Sequence, residues 1–278
     1  MKGEVDVVHG VPLNLADKLR SDARYGPYMR TSVQLHTSYL GYDSSSPPFD
    51  RIEVRQAVNL AINLDRINQR VYSGLGIPAA SLLPPGLLGY DRGLRGFEHD
   101  PERARTLLSQ AGYSSGFSIS YRTWETDEFR NSGVTALMFE DLAAIGIQVT
   151  VSQHSATEAR AQLTRRGHGT LFCGNWYADF PDPDNFFYVF FHSDSTAIPG
   201  LFFHRPAVDA EIASARHEND PEERRETYHQ LNEMVVREAP LVCLFHERFF
   251  VLHKPEVRGL RTFLVPPPVR YHDVWVEE

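Results

Sequence analysis

The chain has 278 residues, 42% hydrophobic and 12% aromatic, enough for one large domain or two small ones around a substantial core. A formal net charge of -8 and a pI of about 5.8 argue against nucleic acid as a partner, because phosphates need clustered cations. No run of ~18 apolar residues is present, so no membrane-spanning helix is expected.

In chain order, residues 5–8 read as a short strand and 13–20 as a short helix. Residues 28–42 alternate loosely through Val33, Leu35, Thr37 and Tyr39, the period of a paired strand. Residues 44–48, rich in Ser and Pro, read as a polar linker bounding the larger lobe. Within 52–64, Val54, Ala57, Val58, Ala61 and Ile62 recur at spacings of three and four, which puts them on one helical face. Asp65 is expected to cap a following helix over 66–72 that stops at Gly74. Residues 77–90 form a Pro/Gly loop. Asp100 followed by Pro101 is an N-cap with proline at the first helical position, and that helix is expected to end at Gly112. Next come a strand over 117–123, a helix over 131–144, a strand over 148–153 after the Gly146 break, a helix over 156–165 and a strand over 169–176. Helices are predicted at 184–191, 208–217 and 221–238, strands at 241–246 and 249–252, and an exit segment at 257–264. Helices and strands alternate through the middle, which predicts an α/β sheet with helices on both faces. Ligands of such sheets bind beyond the carboxyl ends of strands. Cys173 and Cys243 both fall in apolar strand-like surroundings; buried free thiols are the default, and a disulfide between them stays open.

One loop stands where that rule puts a site. Asn175-Trp176-Tyr177-Ala178-Asp179-Phe180-Pro181-Asp182-Pro183-Asp184-Asn185-Phe186-Phe187 follows the predicted strand 169–176. Its two prolines break helix and remove amide donors, so it is stiff. An aromatic floor beside a fixed carboxylate suits a ligand with an apolar body and a cationic end. The alternative is an acidic surface turn in which Asp184 or Asn185 caps a helix.

Enzymatic signatures are weak. His246-Glu247 has no second histidine four residues after the first, and His154, His168, His192, His204 and His246 are scattered, so no metal site is expected. No Gly-x-Ser-x-Gly elbow and no phosphate loop occur. Nothing near Cys173 in sequence lowers its pKa. Asp179, Asp182 and Asp184 offer paired carboxylates for glycoside hydrolysis, but two prolines hold them apart. A binding protein, not an enzyme, is expected.

Four segments carry a resemblance. The first runs from Pro47-Pro48-Phe49-Asp50 through Arg55-Gln56-Ala57 to Asp65, and the second from Asp100-Pro101-Glu102 to Ala111-Gly112-Tyr113. The third is the Trp176 loop, and the fourth runs from Asp220-Pro221 through Arg224, Tyr228, Leu231 and Asn232 to Ala239-Pro240. In this order and spacing they resemble the C-terminal half of the family 5 extracellular solute-binding proteins, the oligopeptide, dipeptide and nickel receptors of bacterial ABC importers. The resemblance runs from about Gly3 to Trp275.

It implies a periplasmic binding protein-like α/β fold (type II, cluster C) with a mixed sheet flanked by helices. Residues 1–43 would be a remnant of the first lobe, 44–260 the C-terminal solute-binding lobe, and 261–278 a return segment. It also implies that Asp179 takes the free α-amino group of a peptide. Trp176 would wall the first side-chain pocket, its alternative being a core position under the sheet, with Tyr177 and Phe180 supporting the loop. Arg122 and Trp124, and likewise His36 and Thr37, are placed in the cleft by strand-end position alone. Asp182 and Asp184 would set the turn and cap a helix.

The implied partners are a peptide or small zwitterionic solute and ABC permease subunits, with no cofactor. Peptide is preferred to a nickel chelate or a sugar-like ligand because a carboxylate stands at the amine-anchor position. Family members are exported, and the expected location is periplasmic or extracytoplasmic by resemblance. The opening Met-Lys-Gly-Glu-Val-Asp-Val-Val lacks the pattern of a signal peptide. The family's N-terminal half has no counterpart, so a fragment is expected. His204-Arg205-Pro206 departs from the family's small polar turn. Rival readings are a ligand-sensing regulatory domain of a larger protein and a non-binding remnant that self-associates through its exposed cleft face.

Overall fold

The structure, a computed structural model, describes residues 4–124, 127–167, 169–195 and 197–277, apart from the side chains of Asn14, Arg130 and Asn131. Gly3, where the resemblance begins, and His168 lie outside the described residues. In chain order the elements are β1 (Val7–His9), α1 (Leu13–Ser21), β2 (Met29–Gly41), α2 (Ile52–Ala61), α3 (Leu64–Tyr72), β3 (Ile77–Pro78), α4 (Pro101–Gln110), β4 (Phe117–Trp124), α5 (Glu128–Asn131), α6 (Val134–Ala144) and β5 (Ile147–His154). They continue with α7 (Ala156–Leu163), β6 (Thr170–Tyr177), α8 (Asp184–Phe191), α9 (Pro206–His217), α10 (Pro221–Glu238), β7 (Leu241–His253), β8 (Val257–Arg258) and β9 (Trp275–Val276).

Two 13-residue strands, β2 and β7, pair antiparallel along the middle of a mixed sheet. The strand order is β1-β7-β2-β6-β4-β5, with β3 also on β7. Strands β4, β5 and β6 run parallel to one another, and β6 is antiparallel to β2. The predicted strands 241–246 and 249–252 are one continuous strand. Glu247 and Arg248 interrupt the apolar pattern without interrupting the pairing, which continues through Arg248 opposite Val33. Register shifts between Val33 and Thr37 and between Thr37 and Tyr39 mark a bulged irregularity there.

Alternate residues along β6 define the layers. Leu171 and Cys173 join a buried cluster with Val54 of α2, Ala104 of α4 and Leu142 of α6. Phe172 and Trp176 join the opposite cluster with Phe187 of α8, Ile212 of α9 and Tyr228 of α10. A third cluster, including Val11, Ala16, Phe250 and Leu252, packs α1 against the far end of β7. Both cysteines are free, and burial pushes both thiols up.

Several predicted boundaries move for identifiable reasons. The helix expected over 52–64 stops at Ala61, because Ile62 turns extended and Asn63 caps α3 by accepting from the Arg66 amide. Asp65 is therefore a first-turn residue, not the cap. Asp141 on α6 fixes this corner, accepting from the Asn63 amide at 2.9 Å and from Arg66 Nη2 at 2.8 Å. The helix expected over 131–144 is split into α5 and α6 at Gly133, whose φ of 84° suits glycine. The segment 44–48 is anchored at its first residue. Asp43 and Ser44 are buried, and the Ser44 amide donates to the Leu201 carbonyl at 2.9 Å. Asp100 caps α4 as expected, accepting from the Arg103 amide at 2.9 Å. The exit segment forms β8, which pairs with β9.

Candidate functional site

The loop after β6 is built around Asn185, only 3% exposed at the start of α8. Its Oδ1 accepts from Trp176 Nε1 at 3.0 Å and from the Asp179 amide at 2.9 Å. Its Nδ2 donates to Asp179 Oδ2 at 3.3 Å. One side chain thus fixes both the indole and the carboxylate expected to contact ligand. A neighbouring clamp closes the turn: Asp182 Oδ1 accepts from the Asp184 amide and from Arg224 Nη2, both at 2.9 Å. Asp184 does not cap α8, whose N-cap position is Pro183. Asp184 pairs instead with Arg216 at 3.3 Å, and burial raises its carboxyl above the usual range.

Replacing Asn185 with Ala is expected to strand a half-buried indole N–H and the Asp179 amide. The expected cost is about 1–3 kcal/mol in urea unfolding, with a change in the near-UV circular dichroism of Trp176. An unchanged melt and spectrum would show that the loop holds itself.

Trp176 and Tyr177 part company. Trp176 packs edge-on against Phe190 at 5.8 Å between ring centroids, on the face with the second cluster. Neighbouring strand residues point to opposite faces, so Asn175 and Tyr177 emerge on the other side. There Asn175 Nδ2 donates to Glu128 Oε1 at 2.7 Å, and the Tyr177 hydroxyl donates to Glu247 Oε2 at 2.5 Å. His36, opposite Tyr177 in the β2–β6 register, lies against its ring at 4.1 Å. His36, Glu128, Tyr177 and Glu247 line a cleft of 330 Å3 with Tyr72, Ser132 and Phe249 among its walls.

His36 is 7% exposed, and neither ring nitrogen has a hydrogen-bond partner among the described residues. Burial, then the neighbouring His246, hold its pKa down to about 3. Burial holds His246 at about 4. Glu247 is shifted upward, first by burial, with Glu128 adding repulsion and the Tyr177 hydroxyl opposing.

Of the eight residues picked from sequence, His36 and Tyr177 line this cleft. Asp179 and Phe180 are exposed on the loop beyond β6. Thr37 is fully buried and structural, donating to the Leu82 carbonyl at 2.8 Å and bonded to His246 Nδ1 at 2.9 Å. Arg122 is buried in β4 opposite Ser152, and Trp124 ends β4 opposite His154; neither lines the cleft. Strand-end position alone does not specify a face, and these three do not line this cleft. Sequence reasoning missed Glu128 and Glu247, and no local pattern joins two acids more than a hundred residues apart. Among the described residues, no group of three or more His, Cys, Asp and Glu side chains is arranged to hold a metal ion. No helix among them is long and apolar enough to cross a membrane.

A mixed sheet with helices on both faces and a ligand-sized cleft against it is the architecture of the periplasmic binding proteins. The chain belongs to the bacterial extracellular solute-binding proteins of family 5, whose "Middle" profile matches residues 1–197. It is 31% identical over 244 residues to the dipeptide-binding protein of Escherichia coli K12, covering 86% of this chain and 45% of that one. It is 29% identical to heme-binding protein A of Haemophilus influenzae, covering 88% and 46%. Among solved structures, the ABC transporter-associated periplasmic binding protein DppA of Helicobacter pylori, in complex with peptide STSA, superposes with a TM-score of 0.83 at 27% identity, covering 99% of this chain and 53% of that one. The chain spans about half the length of the curated relatives it matches.

Proposed function

We propose that this chain is the ligand-capturing part of a receptor that binds peptides or related small zwitterionic solutes and hands them to the permease subunits of an ABC importer, outside the cytoplasmic membrane. In this reading it performs no catalysis. Residues 44–260 form the solute-binding lobe, and the flanking segments belong to the first lobe, with β2 running on into the sheet of the second. Similar proteins whose names specify dipeptides, glutathione and di/tripeptides support a peptide ligand.

The observation that carries the reading is the Asp179 carboxylate. It stands exposed at the end of a parallel strand, held by its own backbone and by one bond from Asn185, with acceptor capacity to spare. An α-ammonium needs such a fixed carboxylate, because an unpaired charge removed from water costs several kcal/mol. Phe180, next in the chain, adds exposed apolar surface beside it.

Calorimetric titration with a pool of di- to pentapeptides is expected to show binding that Asp179→Ala weakens about 30-fold or more, the usual loss for one partner of a charged pair. Equal affinity in both proteins would remove Asp179 as the anchor.

A further inference from the structure

The cleft behind the Trp176 loop carries two carboxylates that the amine anchor does not use. We propose that Glu128 and Glu247, with the His36 ring, form a subsite for a second cationic group, an ammonium or guanidinium, so that the receptor prefers solutes bearing a basic side chain. This deepens the peptide reading and rests on it.

Each carboxylate is oriented by a residue flanking Trp176 on β6: Glu128 by the Asn175 amide and Glu247 by the Tyr177 hydroxyl. Each accepts that one side-chain bond, while an ionised carboxylate has about four acceptor positions. Both line the same 330 Å3 cleft, within the size range of small-ligand sites. Glu128 is exposed and Glu247 is half-buried.

His36 is the independent observation. A neutral imidazole 7% exposed, lining this cleft with both nitrogens unbonded, is a polar group awaiting a partner. Its unprotonated nitrogen accepts from an ammonium or guanidinium, and the Tyr177 ring beside it offers a π-face. Phe129 and Phe249 supply apolar walls for an alkyl stem. Arg248 is the only lysine or arginine lining the cleft among the described residues. Two carboxylates in one partly desolvated space repel, which contributes to the upward shift of Glu247, and a bound cation relieves that repulsion. A divalent metal does not fit, because no three-ligand cluster is present among the described residues.

The test is calorimetry on the whole chain with matched tri-alanine-based peptides carrying lysine, arginine, norleucine or glutamine at the first or second position, and with cadaverine as a peptide-free cation. The lysyl and arginyl peptides are expected to bind about tenfold tighter than the norleucyl and glutaminyl ones, about the strength of one modest charged pair. E128Q and E247Q should each shrink that preference toward unity. E211Q, which removes a charge from α9 outside the cleft, should leave it intact. E128Q alters an exposed side chain, so it reports even if E247Q disturbs folding. Equal binding of neutral and basic peptides overturns the subsite and leaves the peptide reading standing. Cadaverine binding lost in E247Q, without binding of any peptide, supports the subsite and overturns the peptide reading. Silence in every arm overturns both.

Discussion

Arg55→Ala is expected to cost about 3–5 kcal/mol of stability, most of what a domain of ordinary stability possesses. Arg55 is completely buried in the middle of α2, yet it is bonded throughout. Its Nη1 donates to the Phe49 carbonyl at 3.0 Å, Nε to the Glu238 carbonyl at 2.9 Å, and Nη2 to Glu238 Oε2 at 3.2 Å. Arg205 reaches the same carboxylate oxygen at 2.9 Å. The place matters because α10 ends there. A helix leaves its last carbonyls without intrahelical partners and gathers negative potential at that end.

Three groups of the first half of the chain satisfy this end of α10. Gln56 takes the Arg237 carbonyl, Arg55 the Glu238 carbonyl, and the Tyr42 hydroxyl the Ala239 carbonyl at 2.6 Å. Removing the guanidinium leaves a buried carbonyl and the Glu238 carboxylate short of donors. Lysine keeps the charge but lacks the planar fork that reaches three acceptors at once, so Arg55→Lys should recover less than half the loss. Urea unfolding of the three proteins decides this. A loss below 1 kcal/mol in the alanine variant would mean that water replaces the guanidinium without penalty.

That clamp also shows where sequence reading stops. Arg55 sat in a strongly periodic segment and read as one more helical position, because its partner lies 183 residues away. Elements announced by local chemistry were legible: the Asp100–Pro101 start of α4, the span of α10 and the span of α8. The sheet with helices on both faces followed from the alternation of periods 2 and 3.6. What local pattern could not fix was direction. Extending β6 by one residue, to Tyr177, is enough to decide that Trp176 and Tyr177 serve opposite faces. Asn185 was legible as a residue near a helix start, but its role as the hub joining Trp176 to Asp179 depends on the turn made by Pro181 and Pro183. Glu247 was hidden for the opposite reason: it breaks an apolar run, and it reads as a gap between strands until its partner Tyr177 is in place.

Acidification is expected to destabilise the chain through His36 and His246. In the folded state their pKa values stand at about 3 and about 4, below the ordinary 6.5 of the unfolded chain. Between those limits the unfolded chain binds more protons, so stability rises with pH there and is lost as pH falls from 6.5 toward 4. By pH 4.5 the loss is roughly 2–3 kcal/mol for each histidine. The titratable groups around the pair are Tyr177 on β6, Glu247 and Arg248 on β7, Glu128 on α5, Tyr72 on α3 and Tyr90. Glu247 works in the opposite sense: its raised pKa lets the folded chain take up a proton first, which stabilises the fold as pH falls toward the ordinary carboxylate value. Asp141 and Asp184, also raised by burial, act the same way. The histidines carry the larger effect because two shifts of this size fall in one window. Urea midpoints measured from pH 7.5 to 4.5 should therefore fall steeply for the native sequence and more gently for His36→Asn, with His246→Asn matching it. Parallel curves for all three would show that water or a relaxed backbone already solvates the ring nitrogens, and that the cleft wall around His36 is softer than its burial implies.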